Sequence, residues 1–424
     1  MNPNLATSPL PGARTFLSAF TRPAPKRTGM SALLALALAA ALLAPASLCA
    51  QGIPNIRVSQ RAGTSLVDLR YDLATTNANG LFVAVAVSTN GGNSYDLPAS
   101  HFTGDVGGPI TTGTNKLIVW DAVRDWPDQF ATNACLRLTA SDVPPGMVLI
   151  PAGPFVMGNT FPGEGDSDEL PLHTNQLSAF YMDKFEVTKA LWDEVRVWAN
   201  TNGYDLGTIG LGKATNHPVH TVSWYDCVKW CNARSQREGR VPAYYTSAAQ
   251  TTVYRSGQVN VDNTWVKWGS GYRLPTEAEW EKAARGGASG KRFPWADTDN
   301  ITHSRANYYS DSGYAYDTSP TRGDHPSFQA GDSPYTSPAG YFAPNGYGLY
   351  DMAGNVWEWC WDWYGSYTAA PATDPRGPSG TLRYRVLRGG SWYSLAFVAR
   401  CAYRNYVLPY GASYSIGFRC VRGL

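Results

Sequence analysis

The residues best equipped for chemistry lie in Asn345–Tyr364, NGYGLYDMAGNVWEWCWDWY. There the oxygen-bearing side chains of Asp351, Asn355 and Glu358 are set among Trp, Tyr, Met, Val and Ala. A polar group left unpaired in apolar surroundings is costly, so each needs a partner. Two chemistries meet that need. One is a turn tied by Asx hydrogen bonds. The other is a hard-cation site, in which Asp351, Glu358 and main-chain carbonyls surround Ca²⁺ with about six to eight oxygens. Spacing alone favours the turn. Gly346, Gly348 and Gly354 interrupt the segment too often for one helix, and the Trp-rich run Val356–Trp363 reads as a buried strand.

Other constellations carry less. His217 and His220 have metal-ligand spacing, but Pro218 lies between them and no third ligand is near. The run from Gly207 to Gly212-Lys213 mimics a phosphate loop, yet Ala214 stands where Ser or Thr is needed and no strand precedes it. Ser391 follows two glycines, but no His close in sequence could serve as its base. Cys227 and Cys231 stand at i and i+4, one turn apart on an expected helix, whereas a redox pair is more usually C-x-x-C.

Three helices are expected to position these groups. Thr188 opens one to about Asn200, with Leu191, Trp192, Val195 and Trp198 on one face. Ser223 and Asp226 form a capping box for a second, ending near Arg237. Thr276 and Glu279 form another box, for a helix that ends near Ala284, before Gly286-Gly287. Gly286–Pro344 reads as ordered loop, because its many aromatics argue against disorder.

Charged residues make up 16% of the 424, whereas Gly, Trp and Tyr number 42, 15 and 25, which suits a loop-rich fold with aromatic cores. The net charge of +2, with no dense basic block, argues against nucleic acid as a partner. Arg22, Lys26 and Arg27 precede the apolar run Ala32–Ala44 and the exit Ala46-Ser47-Leu48-Cys49-Ala50. Residues 1–50 are therefore read as a secretory signal, cut near Ala50, and the protein as secreted or periplasmic. No run long enough to span a membrane follows. The six cysteines after Ala50 form an even set, which permits disulfides. Residues 51–143 hold short strand-like runs parted by turns such as NANG and NGGNS. They predict a small β-sandwich of immunoglobulin or fibronectin type. Val143-Pro144-Pro145-Gly146 reads as a linker.

From there the chain carries MVLIPAGPFVMG, FYMDKFEVTKALW, HPVHTVSW, GYRLPTEAEWEKAARGG, NGYGLYDMAGNVWEW, RVLRGGSW and IGFRC, in that order. Together these closely resemble the formylglycine-generating enzyme, or sulfatase-modifying factor, domain over residues 144–424. The resemblance implies an α+β fold of C-type-lectin kind with little regular structure, and His217 in a structural turn. It implies calcium on the Asp351 side chain, the Met352, Gly354 and Val356 carbonyls and Glu358. A second calcium site would fall at Asn307 and Tyr308, with Asp332 as its acidic partner. It also implies a Cys231–Cys420 bridge. The family's usual partner for Cys401 falls at Ala284, so Cys401 pairs with Cys227 or Cys360 or stays free.

The resembled enzymes oxidise a substrate cysteine with copper held by two cysteines. The first of those positions is Ser394 here, and the second has no counterpart. Serine does not replace a thiolate for Cu(I), so copper is not expected. Two functions then compete. One is a calcium-stabilised binding protein whose groove, lined by Ser391, Trp392, Tyr393, Ser394, Arg400 and Arg404, takes a protein, peptide or glycan. The other is a divergent oxidoreductase acting on a protein or a small molecule.

Overall fold

Capping sets the helices. The Thr188 side chain accepts from Leu191 N, and capping boxes join Ser223 to Asp226 and Thr276 to Glu279. These fix the starts of α2 (Lys189–Thr201), α3 (Trp224–Arg237) and α4 (Glu277–Ala284). Among the described residues the one earlier α-helix, α1 (Ala122–Asp125), is a single turn. The computed structural model describes residues 53–424 except 76–79, 96, 98, 100, 107–108, 128–133, 142 and 381. It also describes the backbone of Arg14–Ser18 and Ala37–Ala39. The rest of the expected export segment lies outside the described residues. The chain divides into two compact units, Met1–Pro145 and Gly146–Leu424.

The first unit has two antiparallel sheets. One pairs Leu66–Leu73 with Arg57–Gln60 and Gly113–Asp121, and Gly113–Asp121 with Phe102–Gly104. The other pairs Leu81–Ser88 with Pro109–Ile110 and Cys135–Ser141, and the short Arg14–Ser18 and Ala37–Ala39 strands follow on the Cys135–Ser141 side. Period-two alternation buries Val67, Leu69, Tyr71 and Leu73. They share one core with Leu81, Val83, Leu136 and Leu138 of the second sheet.

The second unit has three small sheets. Its centre is Trp357–Trp363, buried at every residue. This strand runs antiparallel to Arg385–Arg388 and parallel to Ile416–Gly417. A second sheet joins Met147–Ile150, Phe180–Asp183 and Val421–Arg422. The third joins Gly153–Met157, His173–Leu177 and Ala372–Thr373. Helix α2 buries Trp192, Val195 and Ala199, and Trp192 stacks on Trp230 of α3 with ring centroids 5.7 Å apart. Helix α4 is buried at all eight residues, so its Glu277, Glu279 and Glu281 must find partners inside. Residues 286–344 form no helix or strand among the described residues, as expected.

Candidate functional site

The 351–358 segment folds back on itself. Asp351 and Asn355 take left-handed backbone angles, φ 55° and 61°. Gly354 has φ 83°, and a Cβ there would lie 2.1 Å from the Asn307 carbonyl oxygen, so only glycine fits. Asn355 is the tie of the turn. Its backbone N donates to Asn307 O (2.8 Å), its Oδ1 accepts from Ser337 N (2.9 Å) and its Nδ2 donates to Glu186 Oε2 (2.6 Å). Glu186 also accepts from Val356 N at 3.1 Å. The turn expected from the sequence is therefore present, with Glu186 as an added buried carboxylate that nothing in the spacing singled out.

The Asp351 and Glu358 carboxylates differ in what remains free. Glu358 is gripped by Arg419 through two contacts of 2.7 Å, and Trp280 Nε1 donates to it at 2.9 Å. Asp351 Oδ2 accepts from Gly340 N at 2.6 Å, but its buried Oδ1 has no hydrogen-bond partner among the described residues. Burial pushes the Asp351 carboxyl up to about 6. Burial, then the charges of Asp351 and Glu358, push Glu186 well above the carboxylate range. A cavity of about 50 Å³ is bordered by Asp351 and Met352. No hydrogen bond reaches the Met352 or Gly354 carbonyls among the described residues. Asp351 Oδ1 and those carbonyls thus suit a hard cation, while Glu358 is already committed to Arg419. Among the described residues, no group of three or more His, Cys, Asp or Glu could hold a metal by side chains alone.

At the expected second site, Asn307 is buried and its Oδ1 has no partner among the described residues, while its Nδ2 donates to Tyr335 O (2.8 Å). Asp332, the acidic partner expected there, is exposed, and among the described residues no hydrogen bond joins it to Asn307 or Tyr308. The acid at Tyr308 is Asp317, which accepts from its hydroxyl at 2.6 Å. His217 and His220 stay apart in function. Their Nδ1 atoms meet Thr336 Oγ1 and Thr221 Oγ1, each at 2.9 Å.

Around Ser394 the two serine hydroxyls meet at 3.1 Å, and Ser391 N donates to Ser394 Oγ at 3.0 Å. Neither hydroxyl bonds a His or a carboxylate among the described residues, so nothing there activates a nucleophile. Aromatic rings surround the pair. Trp392 is buried, and its ring centroid lies 5.2 Å from Tyr335, 5.5 Å from Tyr393 and 5.7 Å from Tyr414. Tyr393 is 63% exposed and also meets Tyr309 at 6.3 Å. Lys213 Nζ lies 5.3 Å over Tyr335. Ser391, Trp392, Tyr393 and Ser394 thus lie together at this spot, with Tyr393 exposed and Ser391 and Trp392 buried.

Arg400 and Arg404 do not belong to it, and the expected groove is corrected accordingly. Arg400 is buried on Glu169 through contacts of 2.7 and 2.6 Å. Arg404 is buried on Glu277 through contacts of 2.6 and 2.8 Å. A buried guanidinium must be paired, and these are, leaving nothing for a ligand. The partners lie 231 and 127 residues away in sequence, which is why the local context hid them.

The Cys231 and Cys420 sulfurs lie 3.6 Å apart in the interior. Cys401 is also buried, and burial pushes its thiol up to about 12, far from a ready thiolate.

The formylglycine-generating enzyme of Streptomyces coelicolor is 34% identical over 308 residues, 65% of this chain and 88% of that protein. The chaperone protein LppX of Paenibacillus barcinonensis is 34% identical over 252 residues, 58% of this chain and 81% of its own. Among solved structures, Treponema denticola variable protein 1 matches with a TM-score of 0.48 and 29% identity, covering 66% of this chain and 95% of its own. Residues 136–424 match the sulfatase-modifying factor enzyme 1-like domain, a span that begins within the Cys135–Ser141 strand of the first unit. With most of its length matched, and with the resemblance to formylglycine-generating enzymes met again in these relatives, the chain belongs to the sulfatase-modifying factor family.

Proposed function

We propose that this family member is an exported, calcium-stabilised binding protein that recognises a protein, peptide or glycan through the face around Trp392 and Tyr393. The observation that carries the reading is the paired Ser391 and Ser394 hydroxyls beside a cluster of aromatic rings, of which Tyr393 and Tyr414 are exposed, where the resembled enzymes would hold copper on thiolates. Hydroxyls do not supply the soft sulfur that Cu(I) selects. Cys401 is the thiol nearest in sequence, and it is buried, high in pKa and single. Rigid aromatic rings, by contrast, anchor interfaces at low entropic cost. The unpartnered Asp351 Oδ1 and the free Met352 and Gly354 carbonyls support calcium beside this face. When bound, the ion would supply charge compensation and stiffness, with no part in chemistry. A Cys231–Cys420 bridge is part of the same reading, and peptide mapping without reduction would find the two linked. The first unit, read as an immunoglobulin-like sandwich, would act as a spacer.

Two measurements test the proposal. The protein is incubated with copper, oxygen and a peptide containing a C-x-P-x-R motif, and the peptide is weighed. An unchanged thiol is expected, and conversion to an aldehyde overturns the reading. In parallel, glycan and peptide arrays are probed with the wild type and with Tyr393→Ala. Removing an exposed ring should change stability by less than about 0.5 kcal/mol while abolishing array binding. Array binding that is indifferent to Tyr393 moves the site elsewhere.

A further inference from the structure

A second cleft, of about 310 Å³, lies within the Gly146–Leu424 unit and includes none of the residues of the aromatic face. Small-molecule sites occupy roughly 300–1,000 Å³, so its size suits a small ligand. Its walls include Phe180, Trp268, Gly269, Asp374 and Arg376. Most of the charge there is already matched. Arg273 grips Glu279 through two contacts of 2.6 Å. Asp374 accepts from Ser178 N at 2.7 Å and from Ser178 Oγ at 2.8 Å. These contacts hold Asp374 in the left-handed region, φ 44°, a conformation unusual for a residue with a side chain. Strain of this kind persists where the surrounding structure over-determines it, and it clusters at ligand sites.

Arg376 is different. Its guanidinium lies 4.3 Å over the Trp268 ring, and among the described residues it makes no ion pair and no side-chain hydrogen bond. Its main-chain oxygen accepts from Asn263 Nδ2 at 3.4 Å, which ties the loop in place. A guanidinium fork matches a planar carboxylate in bidentate fashion. The nearby Asp374 and Glu279 carboxylates would repel a dianion such as phosphate more than a monoanion. The partly exposed Trp268 offers apolar surface to the remainder of the ligand.

We propose that this cleft binds a small organic monocarboxylate with a compact apolar body, its carboxylate on Arg376. The test is saturation-transfer NMR on the full chain with benzoate and phenylacetate, against their methyl esters as uncharged controls. At least one acid should receive saturation, and neither ester should. Arg376→Ala should weaken the acid's affinity about tenfold or more, as expected for a lost charged hydrogen bond. Gly269→Trp should block the cleft. A Cβ at Gly269 meets nothing within 4 Å and the backbone there is not left-handed, so this variant is expected to fold, with its melting temperature as the check. Absence of acid binding at millimolar concentration overturns the proposal. So does binding that survives Arg376→Ala.

Discussion

Two buried charge clusters in the second unit are built from the same residue types and reach opposite electrostatic outcomes. In the first, Glu277 and Glu281 face three guanidinium groups, those of Arg285, Arg388 and Arg404. Burial alone would raise the Glu281 carboxyl, but Arg285 and Arg388 pull it below its ordinary value. In the second, Glu186, Asp351 and Glu358 interact with one guanidinium, Arg419, which grips Glu358. There Glu186 and Asp351 are pushed up, first by burial. In the first cluster each carboxylate already meets a guanidinium. The second is short of positive charge, which protons or the proposed cation would balance.

Breaking the first cluster should have the largest effect. Glu281→Gln leaves Arg285 and Arg388 facing a neutral amide in the interior, and removing one partner of a buried pair costs about 3–5 kcal/mol. Urea unfolding would measure it. A loss below about 1 kcal/mol would show that these ion pairs are not what holds α4.

The second cluster predicts a pH dependence of defined sign. In chelated protein the Asp351 carboxyl lies at about 6, against an ordinary 3.8. A raised acid contributes its stability fully at low pH, below 3.8, and loses it as pH rises through about 6. Chelated protein should therefore lose up to about 3 kcal/mol between pH 4 and 7 from this group, and Asp351→Asn should flatten that slope. An identical slope in the variant would assign the deficit to Glu186 instead.

The proposed calcium would give a slightly smaller effect. At a hundredfold excess over Kd, binding to the folded state alone adds about 2.7 kcal/mol. The melting temperature should fall on adding EDTA, and Asp351→Ala should abolish that response. A chelation response that persists in Asp351→Ala would place the ion away from this segment.

The contrast also marks what the amino-acid order could reveal. Elements whose cause is local were legible: the capping residues Thr188, Ser223 and Thr276 announce their helices, and the Trp-rich run announces the central strand. The Asp351–Glu358 turn was legible too, because its glycine and Asx residues act within a few positions. Buried ion pairs were not. Arg400 and Arg404 look the same as ligand-binding arginines until Glu169 and Glu277 arrive from far along the chain. Glu186 was hidden for the same reason, lying 169 residues from the Asn355 amide that it meets. Asp317 was hidden too, because it meets the Tyr308 hydroxyl from a loop without periodicity, which gives no register to count along.

The way the small sheets close governs when this protein can fold. Trp357–Trp363 needs Ile416–Gly417 as its parallel neighbour, and Phe180–Asp183 needs Val421–Arg422 on its free edge. Both late segments emerge from the ribosome after everything they complete. The first unit can close its sheets during synthesis, but the second must wait with an aromatic strand uncovered. Pairings this distant form slowly, and exposed apolar strands aggregate in the interval. A nascent chain arrested before Ile416 should therefore carry a protease-resistant first unit and a protease-sensitive second one. That delay would leave the second unit open to a holding chaperone until its last two strands dock.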